Sequence, residues 1–340
     1  MRFVIYGAGG IGATIGARLH QAGSEVLLIA RGEHGRVLQQ RGLRFVAPDG
    51  EFELAIPCVG HPGEIDWRED DVVLLAMKSQ HTVAALADLE STAPASLPVV
   101  CAQNGVANER MALRRRNHVY GMVVNLPALH LNPGEVVTHA AGTGGILDVG
   151  RYPGGSDEIA DAIAEHISRA GFSACSETAV MRWKYAKLLM NLGNALQAAV
   201  TPEQLDPQAE ADAQTAEVSR LLRREGLACF AAADIACASR EEVIERHDNS
   251  YRMVDITGWP RTGGSSWQSV QRGTGDIETD FLNGEISLLG GLYGIATPAN
   301  RVCQQLAARM VRERLPVGSF TGDQILELIE QHSAHSAAVL

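Results

Sequence analysis

The stretch MRFVIYGAGGIG, residues 1–12, determines the predicted fold, because an apolar strand runs directly into a GxGxxG motif and then a helix. Gly7 permits the tight turn, Gly9 lets the backbone approach a diphosphate, and Gly12 allows the helix to pack closely on the strand. The helix, expected from about Ile11 to Ala22, points its N-terminus at the phosphates. We therefore predict that a dinucleotide is bound by Gly7, Ala8, Gly9, Gly10, Ile11 and Gly12.

Apolar strands and helical segments alternate through the rest of the first half. The runs EVLLIA (25–30), VVLLAM (72–77), PVVCA (98–102) and HVYGMVV (118–124) are typical of buried parallel strands joined by helices. After RYPGGSDE (151–158) the chain is mainly helical, and one long helix is expected over 179–200. The pattern predicts an α/β protein with a Rossmann-type doubly wound sheet in residues 1–175. An all-helical domain follows in 176–330, and 331–340 is expected to be a loose tail.

Composition limits the possible partners. The 340 residues are 46% hydrophobic and carry a formal net charge of −11, which argues against nucleic acid or an acidic membrane as partner. No apolar run approaches the roughly 18 residues needed to span a membrane, and the first residues do not resemble a signal peptide. Six scattered cysteines without a CxxC pattern favour reduced thiols and no metal site. We expect a cytoplasmic protein, monomeric or homodimeric.

Three residues that follow predicted strands indicate which dinucleotide is bound. Arg31 ends the second strand, where an NAD site usually carries Asp or Glu, so a 2′-phosphate is the expected partner. Lys78 and Asn104 follow the next two strands. The carboxyl ends of parallel strands share one edge of a sheet, where ligands gather. We therefore predict NADPH/NADP+ as the cofactor.

In the stretch KYAKLLMNLGNALQ, residues 184–197, Lys187, Asn191 and Asn194 recur at i, i+4 and i+7. On one helix they fall within an arc of roughly 60°. By itself this pattern fits a solvated helix face as well as the wall of a binding site. Lys184 lies about 60° away around the helix and is expected to extend to solvent.

Two residues further along the chain are also ambiguous by spacing alone. Glu278 fits a first-turn acid favoured by the helix dipole. Ser266 fits a turn or cap residue. Either residue fits a functional site equally well.

Taken in order, seven motifs resemble the signature of ketopantoate reductases (2-dehydropantoate 2-reductases). They are GAGGIG, MKSQHT, QNG, WKYAKLLMNLGNAL, SSWQS, IETDFLNGEI and GIATPAN, and the likeness extends from residue 2 to about 314. The resemblance implies an NADPH-binding domain joined to a helical domain, with the substrate in the cleft between them. It also implies reduction of the 2-keto group of ketopantoate, a small 2-keto acid, to pantoate.

The resemblance also implies roles for single residues. Lys187 matches the catalytic lysine of a K-x-x-x-N pattern, and Glu278 matches an acid that contacts the substrate hydroxyl. Substrate-binding roles fall on Asn191 and Ser266, with Asn194 as a further candidate donor. Asn104 matches an asparagine near the nicotinamide and the substrate. Arg31 and Lys78 match the contacts to the 2′-phosphate.

The chain departs from the family pattern at four places, one of which is that VTPEQLDPQAE (200–210) lacks the family's usual asparagine-containing turn. Asn194 comes three residues after Asn191, where the family's second asparagine usually comes four after the first. Gly263 stands where asparagine is often found, and residues 247–264 resemble an insertion. Two alternatives therefore stay open. One is a related NADP-dependent reductase acting on a different 2-keto acid or ketone, and the other is a non-catalytic NADPH-binding protein.

Overall fold

The computed structural model describes residues 1–201, 213–248, 250–261, 263–271, 273 and 277–338. The chain divides into two compact units. The first comprises Met1–Lys184 and Ala238–Arg261, and the second comprises Tyr185–Cys237 and Thr262–Leu340. The predicted domain boundary after residue 175 stays a prediction. The boundary between the two compact units lies after Lys184, and the later segment Ala238–Arg261 belongs to the first unit.

All strands of the described residues lie in the first unit. They are β1 (Arg2–Tyr6), β2 (Glu25–Ile29), β3 (Leu43–Ala47), β4 (Gly50–Leu54), β5 (Cys58–Val59), β6 (Asp71–Leu75), β7 (Val99–Cys101), β8 (Val119–Met122), β9 (Glu135–Val137), β10 (Ala140–Gly142), β11 (Val149–Arg151) and β12 (Tyr251–Met253). The main sheet has the order β11-β8-β7-β6-β1-β2-β5, and all its pairs are parallel except β8 with β11. Two smaller sheets have the orders β4-β3-β9 and β10-β12.

The helices follow the predicted change of character along the chain. They are α1 (Gly10–Gln21), α2 (Gly32–Arg41), α3 (Thr82–Thr92), α4 (Asn108–Leu113), α5 (Glu158–Arg169), α6 (Val180–Asn191), α7 (Asn194–Ala199), α8 (Ala213–Ala232), α9 (Arg240–Asp248), α10 (Ser265–Gln271), α11 (Asn283–Tyr293), α12 (Pro298–Glu313) and α13 (Gly322–Ala338). Short 3-10 turns occupy Pro62–Glu64, Ser79–His81 and Glu278–Phe281. In the part of the chain that the structure describes, no helix is long and apolar enough to cross a membrane.

Strand β1 shows why the sheet is covered on both faces. All five of its residues are buried. Phe3 and Ile5 belong to one apolar cluster together with Ile15 of α1, whereas Val4 belongs to a second cluster together with Leu86 of α3. Alternate side chains of a strand point to opposite faces, so a continuous apolar run is buried on both sides. The predicted Rossmann-type sheet with a following helical domain is confirmed.

The single helix predicted over 179–200 is wrong, because the structure has two helices there. Helix α6 ends at Asn191 and α7 begins at Asn194. Gly193 lies between them, and glycine is a poor helix former. The carbonyl of Leu192 accepts a hydrogen bond from Nδ2 of Asn283 at 3.0 Å. Asn194 therefore lies on a different helix from Lys187 and Asn191, so the three residues do not share the face of a single helix as predicted.

Two other segments differ from the expectation. Helix α13 extends to Ala338, so residues 331–338 are helical where a loose tail was expected. The insertion-like segment 247–264, apart from residues 249 and 262, which lie outside the described residues, contributes β12 to the first unit. There β12 pairs antiparallel with β10, and the N–H of Val254 donates to the carbonyl of His139 at 3.0 Å.

Candidate active site

The glycine loop of the first unit has the backbone that the motif predicts. Gly7 has φ of +100°, and a side chain there would come within 2.6 Å of the Met77 backbone nitrogen. A Cβ at Gly12 would lie 2.2 Å from the Gly7 carbonyl oxygen. Only glycine fits these two positions, since α1 packs directly against the loop. At Gly9 a Cβ would meet no described atom within 4 Å, so the loop is open on that side.

The other three predicted cofactor residues lie at the same edge of the main sheet. Arg31 is exposed and immediately precedes α2, Lys78 precedes the 3-10 turn at Ser79–His81, and Asn104 follows β7. Strands β1, β2, β6 and β7 are parallel neighbours, so their carboxyl ends coincide. Ligands of doubly wound sheets bind at this edge. The roles of these residues in binding the cofactor remain a prediction.

Buried hydrogen bonds hold the loops that carry Lys78 and Asn104 together. Gln103 donates through Nε2 to the Met77 carbonyl at 2.9 Å and to Oγ1 of Thr82 at 2.8 Å. Nδ2 of Asn108 donates to Oγ of Ser79 at 3.0 Å and to the Asn104 carbonyl at 3.1 Å. This network gives the two loops a common support. Sequence reasoning missed it, although Ser79 and Gln103 adjoin the two predicted site residues.

Lys184 does not extend to solvent, as the spacing predicted, because it forms a buried ion pair in the first unit. Its Nζ lies 2.7 Å from Oε1 of Glu109, and the two side chains are 3% and 0% exposed. The same ammonium donates to three carbonyls at or just beyond the ends of β7 and β8, those of Cys101 (3.2 Å), Gln103 (2.8 Å) and Met122 (3.1 Å). A charge is buried only where it is paired and hydrogen-bonded. Lys184 is therefore an internal anchor beside Asn104.

In the second unit, Lys187 and Asn191 lie one turn apart on α6. Lys187 is half-buried, and Asn191 is 6% exposed. Desolvation lowers the pKa of the Lys187 ammonium to about 8, because burial disfavours the charged form. A lysine with this pKa loses its proton more readily than an ordinary lysine near neutral pH. The spacing of Lys187 and Asn191 on one helix is as expected, while their functional roles stay predictions.

Asn194 lies beside the start of α10, which carries Ser266. A Cβ built on Gly264 would be 3.6 Å from Oδ1 of Asn194 and 3.1 Å from Oε1 of Gln197. Ser266 follows in the first turn of α10 and is 3% exposed. The structure thus brings α7 and the SSWQS motif together within the second unit. Asn194 is associated with this motif rather than with the face of α6.

Glu278 is half-buried and begins the 3-10 turn that leads into α11. Five residues later Asn283, which is 1% exposed, donates through Nδ2 to Oδ1 of Asn300 at 3.1 Å as well as to Leu192. Two motifs of the sequence, IETDFLNGEI and GIATPAN, therefore meet at the end of α6. Neither asparagine was singled out from the sequence.

A buried carboxylate supports this amide pair. Oε1 of Glu225 accepts from the N–H of Ala299 at 2.9 Å, and Oε2 accepts from the N–H of Asn300 at 3.0 Å and from its Nδ2 at 2.9 Å. The two N–H groups belong to the first turn of α12, where a carboxylate is stabilised by the helix dipole. Burial nevertheless raises the pKa of Glu225. Spacing gave no sign of this contact, because 74 residues separate Glu225 from Ala299.

Models of one protein family match both the N-terminal and the C-terminal part of the chain. The family model described as "Ketopantoate reductase PanE/ApbA" matches residues 3–154, and the model of the same family's C-terminal region matches residues 179–311. A 2-dehydropantoate 2-reductase of Pyrococcus horikoshii is 30% identical over 191 residues. That alignment covers 56% of this chain and 61% of the relative, so it spans about three fifths of the relative's length.

Two solved structures cover nearly the whole chain. A PanE/ApbA family ketopantoate reductase from Ralstonia eutropha is 26% identical with a TM-score of 0.76, covering 92% of this chain and 99% of that one. A D-mandelate dehydrogenase in complex with NADH and anilino(oxo)acetate is 24% identical with a TM-score of 0.77, over the same shares of the two chains. The second likeness establishes a shared fold.

Proposed function

The chain belongs to the ketopantoate reductase family of oxidoreductases, and from that premise we propose that it reduces the 2-keto group of 2-dehydropantoate to pantoate with NADPH. The observation that carries the proposal is the pair Lys187 and Asn191, one turn apart on α6. Binding a dinucleotide requires neither residue, whereas reducing a ketone requires a proton donor. The lowered pKa of Lys187 supports that role.

The residues after β1 and β2 fit a dinucleotide that carries a 2′-phosphate. The loop is open at Gly9, and the first turn of α1 contains no acidic residue that would repel a diphosphate. Arg31 is exposed where an acidic residue would otherwise bind the ribose. We assign Gly7, Gly9 and Gly12 to the diphosphate and Arg31 with Lys78 to the 2′-phosphate. When bound, the nicotinamide supplies the hydride that reduces the keto carbon.

The protein's own contribution is the proton and the orientation of the substrate. Lys187 donates a proton from Nζ to the keto oxygen, which becomes the product hydroxyl, and then regains a proton from solvent. Asn104 and Asn191 orient the keto acid. Glu278 accepts from the substrate hydroxyl and balances the charge of the lysine. Asn194 and Ser266 donate to the substrate carboxylate or hydroxyl.

Steady-state rates with a panel of branched 2-keto acids, using NADPH and NADH in parallel, test the substrate and the cofactor. We expect ketopantoate to have the highest kcat/KM. We expect NADPH to be preferred by roughly 10- to 100-fold, the worth of about one charge-assisted hydrogen bond. Arg31→Glu should reverse the cofactor preference. A wild-type protein that prefers NADH would reject the role given to Arg31.

The Lys187→Ala variant tests the proton donor. Turnover should fall by roughly 10²- to 10⁴-fold, the usual contribution of a general acid, while the dissociation constant for NADPH stays close to the wild-type value. In the wild type, kcat should fall as the pH rises through about 8, where Lys187 loses its proton. Unchanged turnover of the variant would reject the assignment of Lys187.

A second candidate function is the reduction of another 2-keto acid or ketone by the same chemistry. The observation that favours it is the packing around Gly263, where a Cβ would lie 2.5 Å from the side chain of Trp267. The asparagine that the family often carries at this position would therefore displace the indole. Higher kcat/KM with any other keto acid of the panel would select this function over the first. Tight NADPH binding with no turnover of any keto acid would favour a non-catalytic binding protein.

A further inference from the structure

His34 contacts the cofactor loop through both nitrogens of its ring, yet no motif of the sequence drew attention to it. It lies in the first turn of α2, three residues after Arg31. Its Nε2 is 2.6 Å from the carbonyl oxygen of Ala8, which lies between Gly7 and Gly9. Its Nδ1 is 2.8 Å from the backbone nitrogen of Gly134. The imidazole thus joins the glycine loop to the turn before β9.

The two partners determine the protonation state of the ring. The Gly134 nitrogen is a donor, so Nδ1 must be the unprotonated acceptor. Nε2 then carries the hydrogen and donates it to the Ala8 carbonyl. The imidazole is therefore neutral, and desolvation, which lowers the pKa of His34, favours this state. Each nitrogen has one hydrogen bond, as expected for a ring that is fixed in orientation.

Neighbouring contacts make this junction rigid. The ring of His130 packs edge-on against His34, with centroids 4.3 Å apart. Ala128, two residues earlier, lies against Gly10, where a Cβ would be 3.5 Å from its side chain. The segment 128–134 therefore supports the glycine loop from outside at two points, and His34 makes one of them.

We propose that His34 is a positioning residue for the dinucleotide, which holds the Ala8 carbonyl and the Arg31-bearing turn in the spacing that the diphosphate and the 2′-phosphate require. The proposal rests on the assignment of NADPH to this loop. His34 acts through Ala8 and the start of α2. It takes no part in hydride or proton transfer, so its loss should weaken cofactor binding and leave the proton donor Lys187 unaffected.

Substitutions of His34 that separate the two hydrogen bonds test the proposal. In His34→Gln the side-chain amide nitrogen replaces the Nε2 donor to Ala8, whereas in His34→Asn the side-chain oxygen replaces only the Nδ1 acceptor for Gly134. His34→Phe removes both groups. The dissociation constant for NADPH is measured by nicotinamide fluorescence, without any keto acid. We expect roughly 10-fold weaker binding for Phe and Asn, the loss of about one hydrogen bond, and at most about 3-fold for Gln.

A buried histidine elsewhere in the first unit provides the matched control. His139 is 2% exposed, and its Nδ1 is 3.0 Å from the carbonyl of Val254 rather than from a residue of the glycine loop. His139→Gln should keep the wild-type affinity for NADPH, and thermal unfolding without cofactor reports whether each variant is folded. Wild-type affinity in folded His34→Phe, or equal losses for Gln and Asn, would overturn the role of His34.

The outcome is independent of which keto acid the enzyme reduces. A wild-type protein that binds NADPH but reduces another keto acid would overturn the proposed substrate and leave the His34 result standing. A wild-type protein that does not bind NADPH would overturn both the cofactor assignment and the role of His34.

Discussion

Helix α6 is held by different chemistry in its second turn and just past its C-terminal residue. In the first unit, Lys184 is held by the charge of Glu109, neither of whose oxygens is aligned for a hydrogen bond with any described residue. In the second unit, the Leu192 carbonyl is held by the neutral amide of Asn283, which is backed by Asn300. An ion pair leaves a bare buried charge when one partner is lost, whereas an amide pair loses only hydrogen bonds. Removing the two sets of contacts should therefore lower the free energy of unfolding by different amounts.

Lys184→Met should have the largest effect, because it leaves Glu109 buried without its cation. We expect the free energy of unfolding of the first unit to fall by ~3–5 kcal/mol. Urea unfolding followed by hydrogen–deuterium exchange of peptides from each unit measures this change where it occurs. Lys184→Met combined with Glu109→Gln should recover much of the loss, since the bare charge is gone.

The exposed pair Arg309–Glu313, whose charged atoms are 2.9 Å apart, is the control for this experiment. Arg309→Met should cost less than ~1 kcal/mol, as exposed ion pairs do. If the Lys184 and Glu109 substitutions are additive, the charge interaction between them contributes nothing.

Asn300→Ala should have the next largest effect. It removes the donor to the Leu222 carbonyl and to Glu225 and the acceptor for Asn283. We expect the second unit to lose ~2–3 kcal/mol, from two or three buried hydrogen bonds. Exchange of the amides around Leu192 should accelerate first. Gln304→Ala, which removes an exposed contact to Asp280, should change exchange little. Equal effects of the two variants would show that the buried amide pair does not hold the end of α6.

Glu225→Gln should flatten the pH dependence of stability, in addition to the loss of acceptor capacity for the N–H groups of Ala299 and Asn300. Burial raises the pKa of Glu225 above its ordinary value of 4.5, so the folded protein holds this proton to higher pH than the unfolded chain. The stabilisation by this group is complete below about pH 4.5, the ordinary pKa, and is lost as the pH rises through the raised pKa. Urea unfolding between pH 4 and 7 should show a flatter profile, by about 1.4 kcal/mol per unit of pKa shift removed. An unchanged profile would contradict the raised pKa.

Lys187→Met should have the smallest effect on stability, and the opposite sign. Desolvation lowers the pKa of Lys187 from 10.5 to about 8, so burying the ammonium costs stability below pH 8, and this cost disappears as the pH rises toward 10.5. Removing the charge should raise the free energy of unfolding at pH 7 by ~1 kcal/mol, less than the full shift because water screens a half-exposed group. Destabilisation by Lys187→Met would instead assign Lys187 a structural role like that of Lys184.

The sequence predicted the first unit better than the second, because the features that identify the first unit depend on residues close together in the sequence. A GxGxxG motif between a strand and a helix is recognisable within 12 residues, because backbone sterics at Gly7 and Gly12 are set by near neighbours. Helix α6 looked continuous with α7 because Leu, Met, Ala and Asn fit one helical period. The carbonyl of Leu192 accepts a hydrogen bond from Asn283, which is 91 residues away in the sequence. No local pattern encodes that contact.

Lys184 and Lys187 show the same limit most directly. They are three residues apart. Periodicity predicted that Lys184 extends to solvent and left Lys187 ambiguous, and the family resemblance then implied a catalytic role for Lys187. The buried environment of Lys184 depends on Glu109, a partner distant in sequence that no local pattern encodes.

The sequence by itself determined the alternation of strands and helices, the glycine loop, the arginine after the second strand and the ordered motifs of the family, because short-range sterics and hydrophobic period specify these features. The tertiary structure alone decided that Lys184 is an internal anchor, that α6 ends at Asn191 and that His34 contacts the carbonyl of Ala8 in the glycine loop. Each of these depends on a buried polar group meeting a partner distant in sequence, and the energy of that contact is absent from any local segment.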